Sequence, residues 1–265
     1  MRVIVIVFLR IVLLSVFCSQ SLSMLSASFA FRSYSRREVR MMPEGPEVRT
    51  LVDSLDARLR DKFLIGAEIT SGRYIKKEPI GWNLLHAAIK SQKRGLCVDK
   101  VACKGKFIYM LFKNEVEVTI LSTLGMTGVW TLDPSRTHRR LSLTFVDTEP
   151  SIVNDHPHAS SLHTTYTPMK LYFCDTRSFG TFKVAPLTFL QAKLATLGVD
   201  WLAAGCASAG KDQMLSEFIL LGQEAGKKKR PLCKFLMDQK KTAGIGNYIL
   251  SEALYIAGAL ACADG

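Results

Sequence analysis

No two of the seven cysteines (18, 97, 103, 174, 206, 233 and 262) in this 265-residue sequence are spaced C-x-x-C, and their number is odd. That argues against a disulfide scaffold and against a zinc knuckle, and leaves free thiols in a reducing compartment as the plain reading. Acidic residues are also scarce: 23 Asp+Glu stand against 35 Lys+Arg, a formal charge of +12. A surplus of that size favours polyanionic partners, either nucleic acid or an acidic membrane face. The apolar stretch Val3–Phe17 is interrupted by Arg10 and is too short for the about 20 residues of a membrane helix. With 48% hydrophobic and 22% charged residues the composition is that of a globular protein of one or two domains. Disorder, collagen and coiled coil fall away.

The first 42 residues differ in kind from the rest. Val3–Phe17 reads as the apolar core of a signal peptide, and Ser19–Arg40 is rich in Ser and Arg with Glu38 as its only acid. The junction at 26–32 resembles the signal-plus-transit presequence of algae with complex plastids. A plastid address is therefore expected, with a mitochondrial or nuclear one, a secretory signal, or a start at Met41 or Met42 as alternatives. Setting 1–42 aside leaves 29 basic against 22 acidic residues, still +7.

Residues 43–186 read as a β-rich domain. Leu96–Ala102, Phe107–Phe112, Glu117–Leu121, Leu141–Val146 and Lys170–Cys174 are short runs of β-branched and aromatic residues bounded by turn signals. Ahead of them, Val48, Leu51, Val52, Leu55 and Leu59 recur at helical spacing after Pro46. The polar stretch 147–169, with three prolines and three histidines, is expected as a surface loop. A metal site on those histidines lacks acidic or thiol partners at ligand spacing.

Residues 187–265 read as helical. Phe189–Leu197 and Gln213–Leu221 carry apolar residues at three- and four-residue intervals, and Lys227–Arg230 is a basic run. Gly244 and Gly246 permit a tight turn, Asn247 stands where a helix N-cap would, and the amides of that helix start are expected to hold a phosphodiester.

Several pieces, in order, resemble the formamidopyrimidine-DNA glycosylase/endonuclease VIII family of base-excision repair enzymes. They are Met42–Val48 (Met-Pro-Glu-Gly-Pro-Glu-Val), Gly105–Phe107, Leu124–Gly128, Asp175–Gly180, Leu236–Gln239 and Gly244–Tyr248. The resemblance implies an α+β protein: an N-terminal β-sandwich flanked by helices, then an incomplete helix-two-turn-helix domain, with damaged double-stranded DNA in a basic cleft between them. It also implies a DNA glycosylase with abasic-site lyase activity, acting as a monomer, with no membrane partner in its mature form.

An N-terminal amine has a pKa near 7.7–8.0 against about 10.4 for lysine, so far more of it is a free nucleophile at neutral pH. By resemblance Pro43 is that amine, and a proline iminium is permanently cationic, a good electron sink for β-elimination. Glu44 donates a proton to the opening sugar, Glu47 is the supporting carboxylate, and Lys106 contacts a phosphate. Met126, Arg177 and Phe179 match the side chains that fill the hole left by an extruded nucleotide. His138, Lys228 and Asn247 match further DNA contacts. The plainer readings are a helix start at Pro43-Glu44, core packing for Met126 and Phe179, and a solvated charge run or nuclear import signal at 227–230.

Three departures qualify the resemblance. Pro43 must become an N-terminus. Ser178 stands where a basic residue is common. The sequence ends just after the helix that carries Asn247, so the family's zinc finger would lie beyond residue 265 and no cofactor is expected in this chain. A truncated gene model with β-elimination dominant is the expectation. A non-catalytic damaged-DNA-binding protein is the alternative if Pro43 stays blocked. A lipid-binding role would need amphipathic basic helices, whereas the charges here sit in loop-like runs.

Overall fold

Val48, Val52, Leu55 and Leu59 all fall on one face of helix α1 (Gly45–Leu59), and each is buried. Pro46 sits inside the first turn, where its missing N–H is not needed. The structure, a computed structural model, describes residues 43–113, 116–147, 168–200, 216–217, 219–220, 222–223 and 231–256. The expected loop at 147–169 and the helix at 213–221 lie largely outside the described residues. Lys228 and the rest of the basic run lie wholly outside them.

After α1 come β1 (Phe63–Ile69), α2 (Arg73–Lys76), α3 (Trp82–Ser91), β2 (Leu96–Lys104), β3 (Phe107–Phe112), β4 (Val118–Thr123), β5 (Gly128–Thr131), β6 (Arg139–Val146), β7 (Met169–Asp175) and β8 (Thr181–Pro186). Then follow α4 (Leu187–Ala195), β9 (Val199–Asp200), α5 (Leu232–Met237), β10 (Thr242–Ala243) and α6 (Asn247–Ile256). The five strands read from the sequence are all present. The sequence reading passed over β1, β5 and β8. Gly66 interrupts β1 and the register shifts between Leu64 and Gly66, which dilutes the strand signal there.

The chain divides into two compact units that do not follow chain order. One comprises Asp53–Ala102 and Ile108–Leu190; the other comprises the segment up to Val52, Cys103–Phe107 and Gln191 onward.

In the first unit an eight-stranded sheet runs β5-β7-β6-β1-β2-β3-β4-β8. Its two ends meet. The Trp130 indole on β5 packs against Phe182 on β8 at 6.1 Å between ring centroids and donates to Ser122 Oγ on β4 at 3.1 Å. A sheet folded over in this way is the expected β-sandwich. Leu64, Leu141, Leu143, Phe145, Leu171 and Phe173 fill it, each at most 1% exposed. Burial on this scale contributes about 1.5–3 kcal/mol per side chain. The buried hydroxyl of Thr119 is satisfied by the Ala185 carbonyl at 2.9 Å.

In the second unit β9 and β10 pair in parallel, Thr242 opposite Val199 and Ala243 opposite Asp200. The Asp200 carboxylate accepts the Gly105 N–H at 2.9 Å, and Lys104 Nζ donates to the Leu194 carbonyl at 3.0 Å, which fixes the segment that carries Lys106. The described helices here, with α5 and α6 in contact, are the expected partial helical part.

Candidate active site

The turn before α6 is built by Gln239. Its side-chain amide donates to the Ile245 carbonyl at 2.8 Å, and its side-chain oxygen accepts the Gly244 N–H at 3.0 Å. Gly244, at φ +99°, supplies the left-handed residue such a turn needs. Two sequence pieces that looked independent, Leu236–Gln239 and Gly244–Tyr248, are thus one clamp.

That clamp presents the start of α6 to a carboxylate from the other end of the sequence. Glu44 is 1% exposed. Its Oε2 accepts N–H bonds from Gly246 at 2.7 Å and Ile249 at 3.3 Å, and its Oε1 accepts from Tyr248 at 3.0 Å. The Gly45 N–H donates to the Gly244 carbonyl at 2.9 Å and locks the two segments together.

This corrects the sequence reading of the helix start. Three of the amides expected to hold a phosphodiester are already occupied, and the acceptor they meet is the protein's own Glu44 carboxyl. Asn247 opens the helix with an exposed side chain and is not what satisfies those amides.

Gly246 is required by close approach. A Cβ there would run into both the Glu44 carboxylate and Lys106 Nζ, so acid and amine converge over the one residue without a side chain. Burial pushes the Glu44 carboxyl above its ordinary value, outweighing the opposing pull of the Tyr248, Ile249 and Gly246 amides and of the Lys106 charge. Burial likewise pushes the Lys106 amine below its ordinary value, against the opposing charges of Glu44 and Glu47.

Glu47 is exposed and doubly held: it accepts the Glu44 N–H at 3.1 Å and the Tyr248 hydroxyl at 2.6 and 2.8 Å. Pro43 is half-buried at the head of this cluster. Pro43, Glu44, Glu47, Lys106 and Asn247 therefore share one unit. Tyr248 and Gln239 were quoted within sequence motifs but given no role. The part of Tyr248 depends on a fold that joins residues about 200 positions apart, of which local spacing carries no trace. Gln239 bonds to groups five and six residues on, and its residue type alone does not mark it as the clamp of that turn.

The other expected contacts lie in the sandwich unit. Met126 and Phe179 are exposed, at 37% and 59%, so neither is a core residue. Arg177 is exposed too, with Nη1 donating to Met126 Sδ at 3.3 Å. Ser178 between Arg177 and Phe179 has φ +58°, a left-handed conformation uncommon for a residue with a side chain. His138 is exposed, and its carbonyl accepts the Asp175 N–H at 3.1 Å. Among the described residues no group of three or more His, Cys, Asp or Glu could hold a metal ion.

The profile of the formamidopyrimidine-DNA glycosylase N-terminal domain matches residues 42–182, more than half of the sequence. The chain belongs to the formamidopyrimidine-DNA glycosylase family. Among its relatives, the formamidopyrimidine-DNA glycosylase of Rickettsia felis is 27% identical over 217 residues, 82% of this chain and 66% of its own length. That of Acidiphilium cryptum is 29% identical over 223 residues, 83% of this chain and 66% of its own. The chain spans about two thirds of the length of these relatives.

Two crystal structures of the Lactococcus lactis formamidopyrimidine-DNA glycosylase share the fold. The one with a FAPY-dG-containing DNA has a TM-score of 0.57 at 19% identity, covering 79% of this chain and 66% of that one. The one bound non-covalently to DNA with an abasic site has a TM-score of 0.56 at 20% identity, covering 80% and 68%.

Proposed function

We propose that this chain removes oxidised bases from duplex DNA and nicks the strand at the abasic site it creates. The observation that carries the reading is the pair over Gly246. There a carboxyl is biased toward its protonated form beside an amine biased toward its neutral form, and both belong to the cluster headed by Pro43.

Once the chain begins at Pro43, the proline nitrogen is a secondary amine whose lone pair attacks the sugar C1′. The bond to the damaged base breaks, the base leaving with the proton that the proline nitrogen sheds, and Glu44 gives its own proton to the ring oxygen as the C1′–O4′ bond opens. The result is an iminium between Pro43 and C1′. It draws the electrons of a C2′–H bond as the proton leaves, and the C3′–oxygen bond breaks to release the 3′ phosphate. Lys106 balances the charge of a backbone phosphate during this step, and Glu47 is held ready by Tyr248 for the proton movements around the amine. Met126, Arg177 and Phe179 occupy the space left when the damaged nucleotide leaves the stack, which lowers the cost of extrusion.

Borohydride trapping on a duplex with an abasic site tests this, comparing protein that begins at Pro43 with protein that begins at Met1. Borohydride reduces only an iminium. An adduct from the Pro43 form alone is expected, and makes release of Pro43 the step that switches activity on. No adduct from either form would leave a damaged-DNA-binding protein in its place. An adduct from both would move the nucleophile to a lysine.

We also propose that residues 1–42 direct the protein to a plastid. A fluorescent protein fused behind them is expected in that organelle, and diffuse fluorescence would overturn the assignment.

A further inference from the structure

Asp175 is 1% exposed, although it ends strand β7 and Thr176 and Arg177 directly after it are exposed. A buried carboxylate persists only where its oxygens are occupied, and here the donors come from two loops. Thr127 Oγ1 donates to Asp175 Oδ1 at 2.5 Å from the loop that carries Met126. From the loop that carries Arg177 and Phe179, the Arg177 N–H donates to Thr127 Oγ1 at 3.0 Å and to Asp175 Oδ1 at 3.2 Å. At that loop's far end the Gly180 N–H donates to Asp175 Oδ2 at 2.7 Å. Arg140 closes the arrangement from below, Nε to the Asp175 carbonyl at 2.7 Å and Nη2 to the Thr176 carbonyl at 3.2 Å. The roles assigned above use the exposed tips of these loops and leave this buried centre unused.

We propose that Asp175 is a positioning residue that joins the Met126 loop and the Arg177–Phe179 loop into one block, so that the three side chains enter the base stack together. The inference rests on the reading above that this chain extrudes damaged nucleotides. Two loops that must each be ordered during insertion lose conformational freedom at that moment, whereas a block ordered beforehand does not. One carboxylate can do this because its two oxygens accept from both sides. An amide in its place keeps one acceptor and turns an N–H2 toward a donor. Asp175→Asn therefore uncouples the loops while preserving side-chain volume. Thr127→Val cuts the same link at a half-buried position where folding is less at stake.

The test uses the full chain and a duplex that carries a tetrahydrofuran abasic analogue opposite 2-aminopurine. This ligand cannot form an imine, so the result does not depend on release of Pro43. Binding is read by anisotropy, insertion by 2-aminopurine fluorescence at saturating protein, and loop coupling by amide hydrogen exchange. Each variant is expected to cut the saturated fluorescence change to about a third or less. Exchange is expected to quicken over 124–128 and 176–180 together. A residue needed only for folding would instead lower binding and signal in step with Tm.

A full signal at saturation in both variants, or faster exchange in one loop alone, overturns the proposal. Should the unaltered chain give no fluorescence change, the extrusion reading itself fails. Exchange then decides alone: coupled quickening upholds the block, and uncoupled exchange removes it.

Discussion

Two buried carboxylates hold opposite kinds of surface. Glu44 gathers groups inward: three backbone amides converge on it, an amine lies nearby, and burial shifts both titrating groups toward their neutral forms. Asp175 pushes groups outward: the loops it ties present Met126, Arg177 and Phe179 to solvent. In the first region titratable groups are taken out of water and shifted toward their neutral forms. In the second, apolar surface is kept in water, where it costs solubility; the proposed function gives both departures a use. The comparison shows that burial of a polar group and exposure of an apolar one are the same signal, a local departure from minimum free energy retained for use.

The sharpest way to break the comparison is at Glu44. Glu44→Gln removes the proton donor and is expected to slow base excision by about 10²–10⁴, measured by single-turnover cleavage of an oxidised-base duplex. In the unaltered protein excision is expected to decline on the alkaline side as Glu44 loses its proton, with a midpoint above the ordinary carboxylate range. A midpoint at or below that range would remove Glu44 from the acid role.

The sign for stability runs the same way. A carboxyl raised by burial supports the fold while protonated and loses that support as the pH climbs through its raised value. Lys106, lowered by burial, supports the fold when neutral and loses that support as the pH falls through its lowered value. Unfolding midpoints measured across pH check both.

Gly246→Ala comes next. The added methyl meets the Glu44 carboxylate and the Lys106 amine, so a loss of about 1–3 kcal/mol in stability is expected, together with at least tenfold in trapping. Thermal melts and borohydride adducts measure the two. Phe179→Ala sharpens the contrast. At 59% exposure the ring adds little to stability, and Tm should move by no more than about 0.5 kcal/mol equivalent, while excision of a paired lesion falls about tenfold. A Tm loss like that of a core phenylalanine would show the ring packed, not presented. Smallest is Tyr248→Phe, which frees Glu47 from its hydroxyl donor. A cost of about 0.5–1.5 kcal/mol in stability and a several-fold fall in trapping are expected.

Much of this was legible in one dimension because it repeats locally. The α1 stripe of Val48, Val52, Leu55 and Leu59 and the β-branched runs of β2, β3, β4, β6 and β7 follow from the period of a helix or a strand. Strands β5 and β8 escaped notice. Gly128–Thr131 is only four residues long, and Thr181–Pro186 ends in a proline, so neither offers enough alternation to read. The ordered motifs pointed to Glu44, Glu47 and Lys106, which the fold brings into one cluster, and to Met126, Arg177 and Phe179, which it leaves exposed. The error at the α6 N-terminus had a different origin. Free amides at a helix start read as a ligand site, and nothing in the local sequence announces that a carboxylate some 200 residues away has taken them.

The sequence by itself determined composition, the basic surplus, most of the secondary structure and the identities of the residues expected to react, because these depend on side-chain chemistry and short-range spacing. Tertiary structure alone decided which oxygens accept which amides: that Glu44 caps the start of the helix at Asn247, and that Asp175 joins two loops. Each is a bond between segments far apart in the chain, and only the burial of the core around them fixes such a bond.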